Sequence, residues 1–134
     1  MASIRIERLI AAPADQVWNA IRDVGALHIR LVPGFVVDTR LEAGARIVTF
    51  GNGVTAREIL VDIDDARRRF AYSVRGETLE HHHATNEVFD DGEGGCRFVW
   101  TADLLPDGLA AMFSGMMGQG ADVLKATLEA TARR

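Results

Sequence analysis

The chain has 134 residues, 48% of them hydrophobic and 25% charged, with a formal net charge of −4. That balance predicts one domain over residues 1–134, large enough to bury a core without disulfide or metal staples. A mildly acidic chain whose only basic cluster, "ARRRF", sits beside the acidic "DIDD" argues against nucleic acid or anionic membrane as partners. The single cysteine, Cys96, rules out an internal disulfide and fits a reducing compartment. No apolar run reaches membrane-spanning length, and the residues after Met1 lack an apolar signal core, so a cytoplasmic protein without membrane insertion is expected.

In chain order, "SIRIERLI" begins with the alternation of Ile4 and Ile6 that marks a first strand. "AAPADQVWNAIRD" opens a helix, with Pro13 where a missing N–H costs nothing, Asp15 favourable to the dipole, and Val17, Trp18 and Ile21 on one face. A short second helix, Gly25 to Leu31, should stop before Pro33. Hairpin punctuation follows: Asn52-Gly53 tolerates positive φ at both positions, and "DIDDAR", "RGET" and "DDGEGG" supply three further turns. Between the turns lie "FVVDTRL", "ARIVTF", "VTAREILVDI", "RFAYSV", "HHHATNEVF" and "CRFVWTADLL", six antiparallel strand candidates. After Pro106-Asp107-Gly108 a long final helix runs toward Ala132.

In that order, "IAAPADQVWNAIRD", "VPGFV", "ILVDIDDARRRFAYSV", "FVWTADLLP" and "GADVLKATLE" carry a resemblance over nearly the whole length. The chain resembles the helix-grip superfamily (START-related, SRPBCC), and within it the polyketide cyclase/dehydrase and lipid-transport group. The resemblance implies an α+β fold: a seven-stranded curved antiparallel sheet around a long C-terminal helix, with two short helices after the first strand. It also implies an apolar ligand between sheet and helix. The superfamily spans cyclases, carriers, receptors and co-chaperones, so fold alone does not give function.

The final helix can be read on its own. Leu109, Phe113, Met116, Met117, Gly120, Leu124 and Leu128 form a stripe at helical spacing. Gly115, Gly118 and Gly120 interrupt it, each costing about 0.5–1 kcal/mol relative to Ala in a helix interior. Either the helix start is frayed and methionines fill an irregular core, or the missing side chains leave room for a ligand that the thioethers line.

Three of the four histidines stand together as His81-His82-His83. The hairpin that holds them has two registers differing by one residue, which inverts the faces. One puts His81, His83, Thr85 and Glu87 with Phe98, Trp100, Ala102 and Leu104; the other puts His82, Ala84, Asn86 and Val88 there. The second is predicted, because it sets Val88 beside Phe98 and Thr85 beside Thr101, whereas the first lays Glu87 on Phe98. His81 and His83 then point outward with only Asp103 to help, too few ligands for a metal, and no metal or other cofactor is expected.

By the same parity, Ile59, Val61 and Ile63 turn inward on the fourth strand, with Thr55 and Arg57, and Phe70, Tyr72 and Val74 on the fifth. The expected ligand-binding set is therefore Arg57, Ile59, Tyr72, His82, Asn86 and Trp100 from the sheet, with Phe113, Met116, Met117 and Gly120 from the helix. His28 is either a surface residue or a gate at the mouth. No nucleophile elbow, phosphate loop or HExxH motif is present, and the paired carboxylates lie in turns. The function expected is binding of a small hydrophobic molecule, polyketide-, lipid- or aromatic-like, as carrier or sensor. The alternative is a polyketide cyclase/dehydrase-like enzyme, with His82, Tyr72 and Arg57 as general acid or base. Partners are limited to the small apolar molecule, and a homodimer is left open.

Overall fold

A computed structural model describes residues 1–134. β1 (Ala2–Ile10) leads past Pro13 into α1 (Ala14–Arg22), then a 3-10 turn (Val24–Ala26) and a π-helical turn (Leu27–Leu31). Six strands follow: β2 (Val36–Glu42), β3 (Ala45–Phe50), β4 (Thr55–Asp64), β5 (Arg69–Arg75), β6 (His81–Asp90) and β7 (Cys96–Leu105). α2 (Ala110–Ala132) completes the chain, its 23 residues making about six turns. The strands form one seven-stranded sheet in the order β1-β7-β6-β5-β4-β3-β2, antiparallel throughout. This is the helix-grip fold that the order of elements predicts. The second short helix differs in kind. Gly25 lies in the 3-10 turn, and Val32 N–H bonds to Leu27 O at 3.0 Å to close the wider turn before Pro33.

The sheet curls around one apolar cluster. Phe70, Phe98, Val48 and Leu104 are among its most buried members on the sheet, and Met117, Ala121, Leu124 and Leu128 join them from α2. Burying a Leu such as Leu124 or Leu128 contributes about 1.5–3 kcal/mol, which fixes the helix more firmly than its glycine-interrupted sequence could. Polar ties hold it lengthwise: Lys125 Nζ donates to Leu9 O (2.6 Å), and Glu129 Oε2 accepts from Ala11 N–H (2.8 Å). α1 is pinned from the other side. Trp18 Nε1 and Arg22 Nε both donate to Asp65 Oδ1, at 2.9 and 2.7 Å, in the turn between β4 and β5.

Two turns show why the hairpins close where they do. Gly53 adopts φ +87°, and the Asn52 side chain accepts from Val54 N–H at 3.0 Å. Beside it, a Cβ on Gly51 would lie 2.6 Å from Gly34 O, so only glycine lets the segment before β2 approach this turn. Gly51 N–H then bonds to Phe35 O at 3.0 Å, seating the Phe35 ring edge-on to Phe50, 5.8 Å between centres.

Candidate ligand-binding site

The β6–β7 register sets the site. His82 pairs with Leu104, Ala84 with Ala102, Asn86 with Trp100, Val88 with Phe98, and on the outer face Thr85 with Thr101 and His83 with Asp103. Directly opposed residues share a face, so this is the predicted register. The two threonine hydroxyls bond across the outer face at 2.6 Å. His82 and Asn86 are only 5% and 9% exposed, on the concave face. His81 and His83 stand outside, and no group of three or more His, Cys, Asp or Glu side chains could hold a metal ion.

Tyr72, opposite Ala84 on β5, lies diagonally between His82 and Asn86. Its hydroxyl accepts from Trp100 Nε1 at 3.0 Å. The Tyr72 and His82 rings are 5.8 Å apart, and Phe113 of α2 approaches His82 to 5.6 Å, so helix and sheet meet across this imidazole. Gly120 faces Trp100: a Cβ there would come within 3.5 Å of the indole and 3.3 Å of Phe35. Met117 is buried in the same cluster, while Met116 is only partly buried on its flank. Six expected residues from the sheet and helix (Tyr72, His82, Asn86, Trp100, Phe113 and Gly120) are thus brought together where α2 crosses the concave face.

Arg57 and Ile59 are a correction: they do not face it. β4 carries a bulge at Val61, between the pairs Leu60–Tyr72 and Asp62–Ala71. One extra residue inverts the parity, so before the bulge the concave residues are Glu58 and Leu60, and Arg57 and Ile59 turn outward. Arg57 is half exposed and reaches Glu42 at 3.8 Å. Val61 is exposed at the bulge itself.

In their place the fold brings in two residues that the parity reading missed. Arg46 of β3 stands directly opposite Glu58, and Arg46 Nε donates to Glu58 Oε1 at 2.7 Å with both side chains buried. The guanidinium also donates to Val24 O at 3.3 Å and lies over the Phe70 and Tyr72 rings, 5.1 and 5.7 Å from their centres. Extra hydrogen bonds and stacking of this kind offset the desolvation of a buried pair. The third concave-face charge, Arg8, is bound by Asp122 at 2.8 Å. Opposed charges across the Asn52-Gly53 hairpin were the signal that could have revealed the pair.

The polar groups on this face have definite protonation states. Burial, then the charge of Glu58, raises the Tyr72 hydroxyl well above the usual phenol range. Burial, then the charges of His81 and His83, pushes His82 down to about 4, so its ring is neutral at pH 7. His82 Nδ1 accepts from Val74 N–H at 3.0 Å, which places the ring's proton on Nε2. Neither His82 Nε2 nor the Asn86 amide has a protein partner. No wholly enclosed side-chain polar atom lacks one, so both open on free space. His28 lies further out, its Nδ1 3.1 Å from Thr39 Oγ1.

Two surface clefts lie elsewhere, at the hairpin end remote from His82. One, about 350 Å³, is lined by Pro13, Asp15, Arg68, Asp90 and the Gly92–Gly95 turn. The other, about 420 Å³, lies between Leu9–Ala11, that turn, Lys125 and Glu129. Arg68 pairs with Asp15 and Lys125 with Glu129 there, while the Asp90 and Asp91 carboxylates accept from backbone N–H groups of the turn itself.

An antiparallel sheet closed by a long C-terminal helix defines a helix-grip protein. Residues 1–129 match the polyketide cyclase / dehydrase and lipid transport family, and the chain belongs to it. Among solved structures, it is similar to the protein XoxI from Bacillus cereus: TM-score 0.85, 20% identity, 96% of each chain covered. A Thermobifida fusca protein is 27% identical, with TM-score 0.76 over 97% of this chain and 91% of the other. The di-domain ARO/CYC BexL of the BE-7585A biosynthetic pathway is similar over 96% of this chain and 47% of its own, with TM-score 0.80 and 18% identity. A comparison with the curated proteins finds no match.

Proposed function

We propose that the space between the concave face and α2 binds a small hydrophobic molecule, polyketide-, lipid- or aromatic-like, and that the protein is its carrier or sensor. One observation carries this reading. The His82 and Asn86 side chains are more than nine-tenths buried, yet His82 Nε2 and the Asn86 amide have no protein partner. Each of these groups reaches accessible space while the rest of its side chain is enclosed, so each keeps a hydrogen bond to offer a ligand or water. Tyr72, Trp100, Phe113 and Met117 supply the apolar wall. The family, which takes in lipid transport, supports the same reading. Native mass spectrometry of the purified protein should show a co-purifying small molecule. Its removal should lower the melting temperature and alter Trp100 fluorescence, while Trp18, bonded to Asp65 away from the site, serves as the internal reference. Retention of no molecule, together with no response of Trp100 to any apolar compound, would sink the proposal.

A second reading, a cyclase/dehydrase-like enzyme, draws on Tyr72 and His82 lying side by side with protons to give. Proton donation to a bound carbonyl is the chemistry they would supply. Chemical conversion of the bound molecule, rather than its return unchanged, would distinguish it.

A further inference from the structure

The hydrogen-bonding inventory of the concave face is one-sided. His82 Nδ1 is taken by Val74 N–H, so the neutral ring has only Nε2–H to offer, and that is a donor. Tyr72 Oη accepts from Trp100 Nε1, which leaves its hydroxyl proton free and without a protein acceptor. The Asn86 amide can serve in either sense. The charges nearby are already matched, Arg46 with Glu58 and Arg8 with Asp122. Two neighbouring donors with no free charge suit an uncharged acceptor. A carboxylate would enter a buried space with no unpaired cation to meet it, and an ammonium would find no free carboxylate.

Resting on the cavity reading above, we infer that the site selects an apolar molecule bearing an uncharged carbonyl oxygen, a ketone, ester or quinone, held by His82 Nε2–H and Tyr72 O–H. His82 is then a specificity-determining hydrogen-bond donor. It is not a base at Nε2, because that nitrogen already holds the proton.

Three naphthalenes of similar size test this: 2-acetylnaphthalene, 2-ethylnaphthalene and 2-naphthoate, titrated at pH 7 and followed by amide shifts on β5, β6 and α2. The ketone should bind about tenfold more tightly than the hydrocarbon, the worth of one or two net hydrogen bonds, and at least tenfold more tightly than the carboxylate. Tyr72→Phe should remove most of the ketone's advantage. Long-range proton–nitrogen correlation should find the His82 proton on Nε2 in the free protein. Hydrocarbon binding equal to that of the ketone, or preference for the carboxylate, overturns the carbonyl inference and leaves the cavity reading intact. A His82 proton on Nδ1 overturns it too. Failure of all three compounds to move the concave-face amides overturns both.

Discussion

Gly120 and Gly118 lie two residues apart on α2, and the structure assigns them opposite responses to a methyl group. In either place, Gly→Ala reduces the freedom of the unfolded chain and should stabilise by about 0.5–1 kcal/mol if the new Cβ meets nothing. At Gly118 the nearest atom outside the helix backbone would be Arg8 Nη2, 4.0 Å away, and at Gly115 nothing lies within reach. At Gly120 the Cβ would sit 3.3 Å from Phe35 Cε2 and 3.5 Å from Trp100 Cζ3, so one ring must retreat by a few tenths of an ångström. Trp100 is tethered to Tyr72, and Phe35 is seated against Phe50 with its backbone latched to Gly51. Overpacking against held rings costs about 1–3 kcal/mol, and the low end applies to so small an overlap. The gain is therefore cancelled: Gly120→Ala should be neutral to about 1 kcal/mol destabilised, against a gain at Gly118. For a chain of this size, a difference of about 1 kcal/mol appears as roughly 3–4 °C in melting temperature. Thermal denaturation of the two single variants and of Gly115→Ala measures it directly. Equal stabilisation at Gly118 and Gly120 would refute the claim that Gly120 makes room for packing against Trp100.

His82→Ala should cost about 2–3 kcal/mol, since it opens a void and leaves Val74 N–H without its acceptor, whereas the His81→Ala/His83→Ala double variant should stay within about 0.5 kcal/mol on denaturant unfolding. The pH dependence follows from His82, whose folded pKa of about 4 lies below its ordinary 6.5. The unfolded chain binds the proton first, so stability falls as pH drops from about 6.5 to 4, by up to about 3 kcal/mol; urea unfolding at pH 7 and about pH 4.5 should show a smaller loss in His82→Gln than in the parent. Glu58→Gln or Arg46→Met alone should cost about 3–5 kcal/mol by stranding a buried charge, and the double change to Met at 46 and Leu at 58 should recover most of it. If the double variant is as unstable as the singles, the pair acts through something other than charge matching.

The fold was legible because its punctuation is chemical. Asn52-Gly53, the Gly-rich "DDGEGG" turn and the Pro33 and Pro106 stops left little freedom in where strands and helices end. β6 against β7 was legible for a different reason: only one register keeps Glu87 off Phe98, so side-chain chemistry decided between faces. On β4 the same reasoning had nothing to grip. Ile59-Leu60-Val61 is three apolar residues in a row, and periodicity cannot say which of them a bulge will leave unpaired. The parity before the bulge was decided instead at the other end of the strand, by Arg46 meeting Glu58 across the hairpin. Burying that pair turns Leu60 inward and Arg57 out. An inward Arg57 would have left Glu42 behind on the outer face and offered a ligand an unspent cation, and carboxylates would have suited the site. With Arg46 spent on Glu58 and on the faces of Phe70 and Tyr72, the polar groups left for a ligand are His82 Nε2–H, the Tyr72 hydroxyl proton and the Asn86 amide. The bulge at Val61, a one-residue irregularity, thereby keeps Arg57 off the concave face, and the proposed selection for an uncharged carbonyl depends on it.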